Sequence, residues 1–205
     1  IIHELNTFNP HCLISVPSML EILAQEQLAG KLRLKPKLIR AFGESLAPHS
    51  RTFTEDTFGC RVRNVYGVAE NFLVALECDK RQMHAFSDLI FLEPVDRDGS
   101  PTTPGQTSHG WLLTCLERFV QPIIRYEIED SIVILDAPCA CGHPSSTIEI
   151  IGRTEETFVV PRPSGETVRL VPKVILMQAE GVTGTRSFQI RQEARDHIRV
   201  LIVPK

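Results

Sequence analysis

The first 72 residues alternate between two patterns of apolar and polar positions. Short continuous apolar runs predict buried strands at residues 12–16, 37–42 and 60–67. Apolar side chains at helical spacing predict helices at residues 18–30 and 47–58. A strand, helix, strand, helix, strand order is typical of a parallel sheet with crossover helices.

After residue 72 the pattern changes to short apolar runs joined by turn-rich segments such as DRDGSPTTPGQTSHG. These runs predict strands at 73–77, 88–93, 111–116, 122–126, 131–135 and 147–151. Because no long helical pattern lies between them, this part of the chain is predicted to be a β-rich subdomain.

From Thr154 the pattern changes again. A hairpin is expected with its turn at residues 163–165, then a helix from Pro172 to about Glu180, then strands at 186–192 and 197–203. The predicted fold class is α/β. It comprises a parallel sheet with crossover helices (1–72), a β-rich subdomain (73–153) and part of a small α+β C-terminal domain (154–205).

Composition narrows the classes of function. The 205 residues are 42% hydrophobic and 23% charged, with a net charge of -3 and a pI near 6.2, so nucleic acid is an unexpected partner. No apolar run reaches the ~20 residues of a membrane span, and no secretory signal is visible, so a cytoplasmic location is expected. The chain begins with Ile and ends on an apparent strand, which suggests a piece of a longer protein.

Candidate binding residues follow the predicted strands. In NVYGVAEN (64–71), the Tyr66 ring could stack on a purine, Gly67 allows close backbone approach, and Glu70 could hold Mg²⁺ against phosphate oxygens. A tight turn with a solvated carboxylate explains the same residues. Gly43 and Glu44 end the strand before it. QPIIRYEIED delivers Asp130, which could accept hydrogen bonds from ribose hydroxyls.

Taken in order, these motifs resemble phenylacetate-CoA ligases and related adenylate-forming enzymes, including coenzyme F390 synthetase-like proteins. The segments that carry the resemblance are LIRAFGES, FGCRVRNVYGVAE, PIIRYEIED, PCACGHP and IIGRTEE. The resemblance implies an enzyme that uses ATP and Mg²⁺ to convert a carboxylic acid to an acyl-adenylate and then, with coenzyme A, to a thioester. A homodimer is an open expectation.

The resemblance also implies a role for each matching residue. Tyr66 would stack on adenine, Gly43 and Glu44 would border the adenine pocket, and Glu70 would meet Mg²⁺ and phosphate as the catalytic carboxylate. Asp130 would bind the ribose hydroxyls. Arg153 would lie near the nucleotide, with Glu155 at the hinge between the domains.

The cysteines divide into two groups. Cys12, Cys60 and Cys115 lie in apolar or strand-like surroundings and are expected to be core residues. Cys139 and Cys141 form a CxC turn, whose closely spaced thiolates favour a metal; the alternative is two cysteines in an ordinary turn.

Cys78 and His84 match a Cys and a His that family members place after the Tyr-Gly loop. Cys78, His84, Cys139 and Cys141 would then form a Cys₃His set, typical of structural Zn²⁺, with His143 as the alternative fourth ligand.

This sequence departs from the family pattern at two positions. Ala69 stands where the family has Thr, and Glu129 stands where it has a Gly that could take a positive φ. A catalytically degenerate nucleotide- or partner-binding relative that keeps the zinc is therefore an alternative, and an unrelated zinc-ribbon interaction domain is a further one. No Ser/Thr/Gly-rich phosphate loop and no C-terminal catalytic lysine are found, so this polypeptide alone is expected not to catalyse adenylation.

Overall fold

The computed structural model describes residues 1–153, 158–162, 164–170 and 185–204. Three helices lie in the first third of the chain: α1 (Ile2–Phe8), α2 (Pro17–Leu28) and α3 (Pro48–Phe58). The first ten strands are β1 (Cys12–Ser15), β2 (Leu38–Ala41), β3 (Val62–Tyr66), β4 (Ala75–Glu77), β5 (Met83–Ala85), β6 (Ile90–Val95), β7 (Gly110–Cys115), β8 (Tyr126–Ile128), β9 (Asp130–Ile134) and β10 (Thr147–Arg153). Two hairpins follow, formed by β11 (Phe158–Pro161) with β12 (Thr167–Leu170), and by β13 (Thr185–Ala194) with β14 (His197–Pro204).

The largest sheet has the strand order β1-β2-β3-β4-β5-β10-β9. Strands β1, β2 and β3 are parallel, with Leu13 opposite Ile39 and Ile39 opposite Val62. From β3 onward the neighbours β4, β5 and β10 run antiparallel. The mixed sheet confirms the predicted α/β class, with the parallel strands where the chain alternates between strands and helices.

Helices α2 and α3 are the crossover connections of the parallel strands. Each begins with a proline, Pro17 or Pro48, whose fixed φ suits the first helical position. Helix α3 ends at Gly59, which takes the left-handed conformation (φ 66°) that glycine adopts without steric cost. The core of this region consists of buried apolar side chains from the helices, the strands and their connections: Leu13, Leu20, Leu23, Ala24, Leu32, Leu34, Ile39, Ala41, Phe58 and Val62.

The chain divides into two compact units. The first contains residues 1–92, 113–126 and 134–149, and the second contains 93–112, 127–133 and 150–205. In the second unit Trp111 is fully buried, and Val95, Ile128, Ile132 and Val133 are also buried. The three-part division made from the sequence, with boundaries after residues 72 and 153, stays a prediction.

Several local predictions need correction. Most of the strand predicted at 122–126 is loop, because β8 begins only at Tyr126. The sequence pattern missed α1 and the three-residue strand β5, both too short to give a clear period. The helix predicted from Pro172 and the hinge residue Glu155 lie outside the described residues. Of the helices in the described ranges, none has the length and apolar character to cross a membrane.

Glu55 of α3 gives the first unit a pH-dependent contact. Burial raises the pKa of its carboxyl, but hydrogen bonds from the Arg81 side chain and the Val62 N–H outweigh burial, and the pKa lies below its ordinary value. A lowered pKa means that the folded state prefers the carboxylate. Its contribution is therefore present above the unfolded pKa of about 4.3 and is lost as pH falls through the lower folded pKa.

We expect Glu55→Gln to lower the free energy of unfolding at pH 7 and to have a smaller effect near pH 3. Urea unfolding of the native chain and the variant at both pH values measures this difference. Glu4→Gln is the matched control, because the Glu4 side chain is 81% exposed and binds only the N-terminal amine among the ion pairs described. Equal losses at both pH values would contradict the expectation.

Candidate functional site

The carboxyl ends of β1, β2 and β3 lie at one edge of the parallel part of the sheet, where open α/β sheets bind ligands. Gly43 and Glu44 follow β2, and Tyr66 and Gly67 end and follow β3. The two loops touch through the rings of Phe42 and Phe72, whose centroids lie 5.4 Å apart in an edge-to-face arrangement. The structure therefore brings these two predicted motifs together.

Glu44 has a structural contact that the sequence did not indicate. Its carboxylate accepts hydrogen bonds from the Ser18 N–H (3.0 Å) and the Ser18 Oγ (2.9 Å) in the first turn of α2. A carboxylate at this position satisfies an unpaired N–H of the helix and interacts favourably with the helix dipole. Gly43, in the left-handed region (φ 75°), makes the turn that directs Glu44 back to α2.

The loop after Tyr66 is tightly closed. A Cβ on Gly67 would lie 1.9 Å from the Phe72 carbonyl oxygen, so only glycine fits. Val68 and Asn71 exchange backbone hydrogen bonds of 2.9 and 3.1 Å. The Asn71 side chain accepts from the Leu73 N–H and donates to the Cys115 sulfur.

Within this loop the predicted ligand-binding groups are accessible. Tyr66, Gly67 and Glu70 are all partly exposed, and Ala69 is exposed. A partly exposed carboxylate suits Mg²⁺, which keeps several of its waters and takes one or two protein carboxylates.

Asp130 and Arg153 meet in the second unit, where Asp130 begins β9 and Arg153 ends β10. Arg153 Nε lies 3.5 Å from Asp130 Oδ1. The carboxylate expected to bind ribose therefore lies beside the arginine expected near the nucleotide.

Glu129 does not have the strained backbone considered from the sequence. Among the described non-glycine residues a positive φ occurs at Asn9, Arg81 and Arg125, and Glu129 is absent from this set. Four positions earlier, Arg125 has φ 49°, and its N–H donates to Thr114 Oγ1 at 3.0 Å. The departure at Glu129 thus leaves the backbone before Asp130 unstrained.

The four predicted metal ligands converge in the first unit. One ligand atom from each of Cys78, His84, Cys139 and Cys141 lies within 4.8 Å of the other three. Cys78 Sγ is 3.6 Å from Cys139 Sγ, and Cys141 Sγ is 3.3 Å from His84 Nε2. Cys78 and Cys139 are 61 positions apart in the sequence, so only the folded chain creates this cluster.

The dimensions of the cluster fit zinc. Zn–S bonds of about 2.3 Å and a Zn–N bond of about 2.0 Å place tetrahedral ligand atoms roughly 3.5 to 3.8 Å apart. The His84 Nδ1 lies 3.1 Å from the Ser145 carbonyl oxygen, which favours the tautomer with its proton on Nδ1. That tautomer leaves the Nε2 lone pair free to bind a metal. His143 is not part of the set. Its ring lies edge-on to His84, and its Nδ1 accepts a hydrogen bond from the Ser145 N–H.

The surroundings of Cys78 lower the pKa of its thiol. Burial by itself raises its pKa, but hydrogen bonds with the backbone of Gln82 and Lys80 outweigh burial and bring the pKa below its ordinary value. The thiolate is the form that binds metal.

The prediction that the other three cysteines are core residues is confirmed for Cys115, which is buried. It is wrong for Cys12, which is exposed. Cys12 lies on β1, the first strand in the sheet order, and its side chain points away from the core that Leu13 enters. Cys60 is partly buried, and burial raises the pKa of its thiol.

Comparison with known proteins adds two kinds of similarity, while no protein-family model matches the chain. In sequence the chain is 26% identical over 164 residues to phenylacetate-coenzyme A ligase of Thermus thermophilus. The matched region covers 75% of this chain and 36% of that protein.

In structure it is similar to a 2-hydroxyisobutyryl-CoA ligase in the postadenylation state (TM-score 0.82, 23% identity, 99% of this chain and 45% of that chain). It is also similar to a benzoate CoA ligase from Burkholderia xenovorans (TM-score 0.67, 14% identity, 99% and 42%). The chain thus spans less than half the length of each of these proteins. The resemblance carried by the motifs is confirmed: the chain is similar in sequence to phenylacetate-coenzyme A ligase and has the fold of the matching part of the two CoA ligases.

Proposed function

We propose that this chain is part of an ATP-dependent carboxylate-activating enzyme that forms an acyl-adenylate and then a thioester with coenzyme A. The observation that carries the proposal is the pair of loops that follow β2 and β3 at one sheet edge, joined by Phe42 and Phe72. The similarity to phenylacetate-coenzyme A ligase supports the same conclusion.

In the proposed reaction a carboxylate oxygen attacks the α-phosphorus of ATP, and the bond to pyrophosphate breaks. The sulfur of coenzyme A then attacks the acyl carbon, and AMP leaves. The protein positions the groups and stabilises the developing charge.

In this proposal the loops of the first unit bind the base and the phosphates. Tyr66 stacks on adenine, and Gly43 and Glu44 form the border of the adenine pocket by their backbone, since the Glu44 carboxylate is hydrogen-bonded to α2. Gly67 keeps the loop free of a side chain, and Glu70 would hold Mg²⁺, which would neutralise phosphate charge.

For Asp130 and Arg153 of the second unit, we propose the roles that the family resemblance implies. Asp130 accepts hydrogen bonds from the ribose hydroxyls, and Arg153 orients that carboxylate through their ion pair. Arg153 is also available to a phosphate, because its side chain is 66% exposed.

We further propose that Cys78, His84, Cys139 and Cys141 hold a structural zinc ion. Three thiolates and one imidazole fill a tetrahedral coordination sphere, which leaves no position for a reactive water. When bound, the zinc would join the loop after β4 to the loop that contains Cys139, and would have no part in the reaction.

The experiment for the nucleotide site is a titration of the chain with ATP, followed by fluorescence of a labelled analogue. We expect Tyr66→Ala to weaken binding about tenfold, because stacking of a base on an aromatic ring is worth roughly 1–3 kcal/mol. Asp130→Asn is expected to weaken the binding of ATP but not the binding of free adenine, since the proposed partner of Asp130 is the ribose.

Tyr126→Ala is the matched control, because Tyr126 is the second of two tyrosines and is 48% exposed. Equal affinities of the Tyr66 and Tyr126 variants would remove Tyr66 from the site. Absence of ATP binding by the native chain would contradict the assignment of a nucleotide site to these residues.

A further inference from the structure

In the segment Glu77–Arg81, which contains the proposed ligand Cys78, the charged side chains at three alternate positions have ion-pair partners. Glu77 pairs with Arg51 of α3, Asp79 with Arg63 of β3, and Arg81 with Glu55 of α3. The side chains at positions 77, 79 and 81 thus each bind a residue of α3 or β3. Cys78 lies between the first two, and its sulfur is 3.6 Å from that of Cys139.

The first of these pairs is the most deeply buried. The Glu77 side chain is 4% exposed and that of Arg51 is 17% exposed. Arg51 donates to both oxygens of the carboxylate, with its terminal nitrogens at 2.9 and 3.0 Å, and also donates to the Val62 carbonyl at 2.7 Å. A bidentate pair of this kind has a fixed geometry, and loss of one partner leaves an uncompensated charge.

The other two pairs contribute less. Asp79 is 64% exposed, so solvent screens its attraction to Arg63. Arg81 is 50% exposed against a Glu55 side chain that is 19% exposed. Of the three ion pairs, that of Glu77 therefore restrains the chain next to Cys78 most strongly.

Glu77 also binds the strand that carries Tyr66. Its Oε2 accepts the Asn64 N–H of β3 at 2.6 Å. Strand β4, which ends at Glu77, pairs with β3 at Leu76 opposite Val65 and Ala75 opposite Tyr66. One buried carboxylate thus contacts the strand of the nucleotide loop and lies next to a metal ligand in the chain.

We propose that Glu77 and Arg51 are positioning residues that couple the metal site to β3 and the Tyr66 loop. Metal bound through Cys78 holds the end of β4, and the carboxylate transmits that restraint to Asn64 and Tyr66. By linkage, the same pair holds Cys78 in place for the metal. This inference rests on the zinc of the proposed function and does not require that the chain bind a nucleotide.

The first measurement is metal affinity by competition with a chelator, with Co²⁺ as a spectroscopic probe of the thiolate ligands. We expect Glu77→Gln to lower the affinity for the metal about tenfold, in the range found for groups that orient metal ligands. Asp79→Asn is the matched control on the next alternate position, and we expect its affinity to stay within about twofold of native. Arg51→Lys keeps the charge but loses the bidentate geometry, so its affinity should fall between those two variants.

The second measurement is amide hydrogen exchange of residues 62–72 with zinc bound and after zinc removal. We expect removal of zinc to speed exchange there about tenfold in the native chain, and faster exchange than native in zinc-bound Glu77→Gln. Residues 17–28 of α2 report the change in global stability, and we expect exchange at 62–72 to increase by a larger factor than exchange there. Should Glu77→Gln fail to fold, the Arg51→Lys variant provides the same comparison.

Zinc loss without faster exchange at 62–72, or equal affinities of the folded position-77 variant and the position-79 variant, would overturn the coupling. If Glu77→Gln does not fold, native affinity in Arg51→Lys would overturn it. Absence of metal from the native chain would instead refute the zinc site itself. A chain that fails to bind ATP but passes both measurements would refute the nucleotide proposal and leave the coupling intact.

Discussion

Replacement of both Cys139 and Cys141 by serine is expected to abolish metal binding. The native chain, purified without added metal, should contain about one zinc, and the double variant should contain none. Two of four ligands are lost, and the remaining Cys78 and His84 cannot form a closed tetrahedral site. Because binding of a structural metal adds to the free energy of folding, the variant should also unfold at a lower temperature.

Mass spectrometry measures the metal content, and circular dichroism with and without a chelator measures the thermal midpoint. Cys12→Ser is the matched control, since Cys12 is an exposed cysteine outside the cluster. A native chain without metal, or a chelator with no effect on its midpoint, would leave the CxC segment as an ordinary turn.

Gly67→Ala is expected to have the largest effect of any single substitution considered for the nucleotide loop. The added Cβ would lie 1.9 Å from the Phe72 carbonyl oxygen, far inside van der Waals contact. Because the obstacle is backbone rather than a flexible side chain, the loop between Tyr66 and Phe72 must move. We expect a loss of about 3 kcal/mol of unfolding free energy, at the upper end for overpacking, together with loss of ATP binding.

Gly99→Ala is the comparison variant in which an added Cβ meets no neighbouring atom. Gly99 has a positive φ of 81°, yet nothing lies within 4 Å of its Cβ position, so only backbone strain of about 1 kcal/mol is expected. Urea unfolding followed by circular dichroism compares the two variants. Equal losses would refute the close contact at Gly67.

The regular part of the fold was predictable because its signals are local. The strands and helices from residue 12 to residue 66 each show their period within a few neighbouring positions, and the structure places their ends within two residues of the prediction. Prediction failed where the element was too short for a period, as at β5, or where an apolar run was loop, as before Tyr126.

The candidate site was predictable to a different extent in its two parts. The residue types for a metal were visible, because the CxC segment is unusual in itself and the family resemblance pointed to Cys78 and His84. Glu77, Arg51 and Asn71 were missed, since a charged or amide residue in a polar segment gives no signal until its partner is known.

Local sequence signals were enough for the order of elements from residue 12 to residue 66, for the glycines at the loops after β2 and β3 and for the CxC segment, and the family resemblance added Cys78 and His84. Tertiary structure alone decided that Cys78 and Cys139 lie 3.6 Å apart, that Glu44 caps α2, and that Cys12 faces outward. The physical reason is that periodicity and backbone preference act between near neighbours. Contacts between residues 61 positions apart depend on how strands pair and which faces they bury.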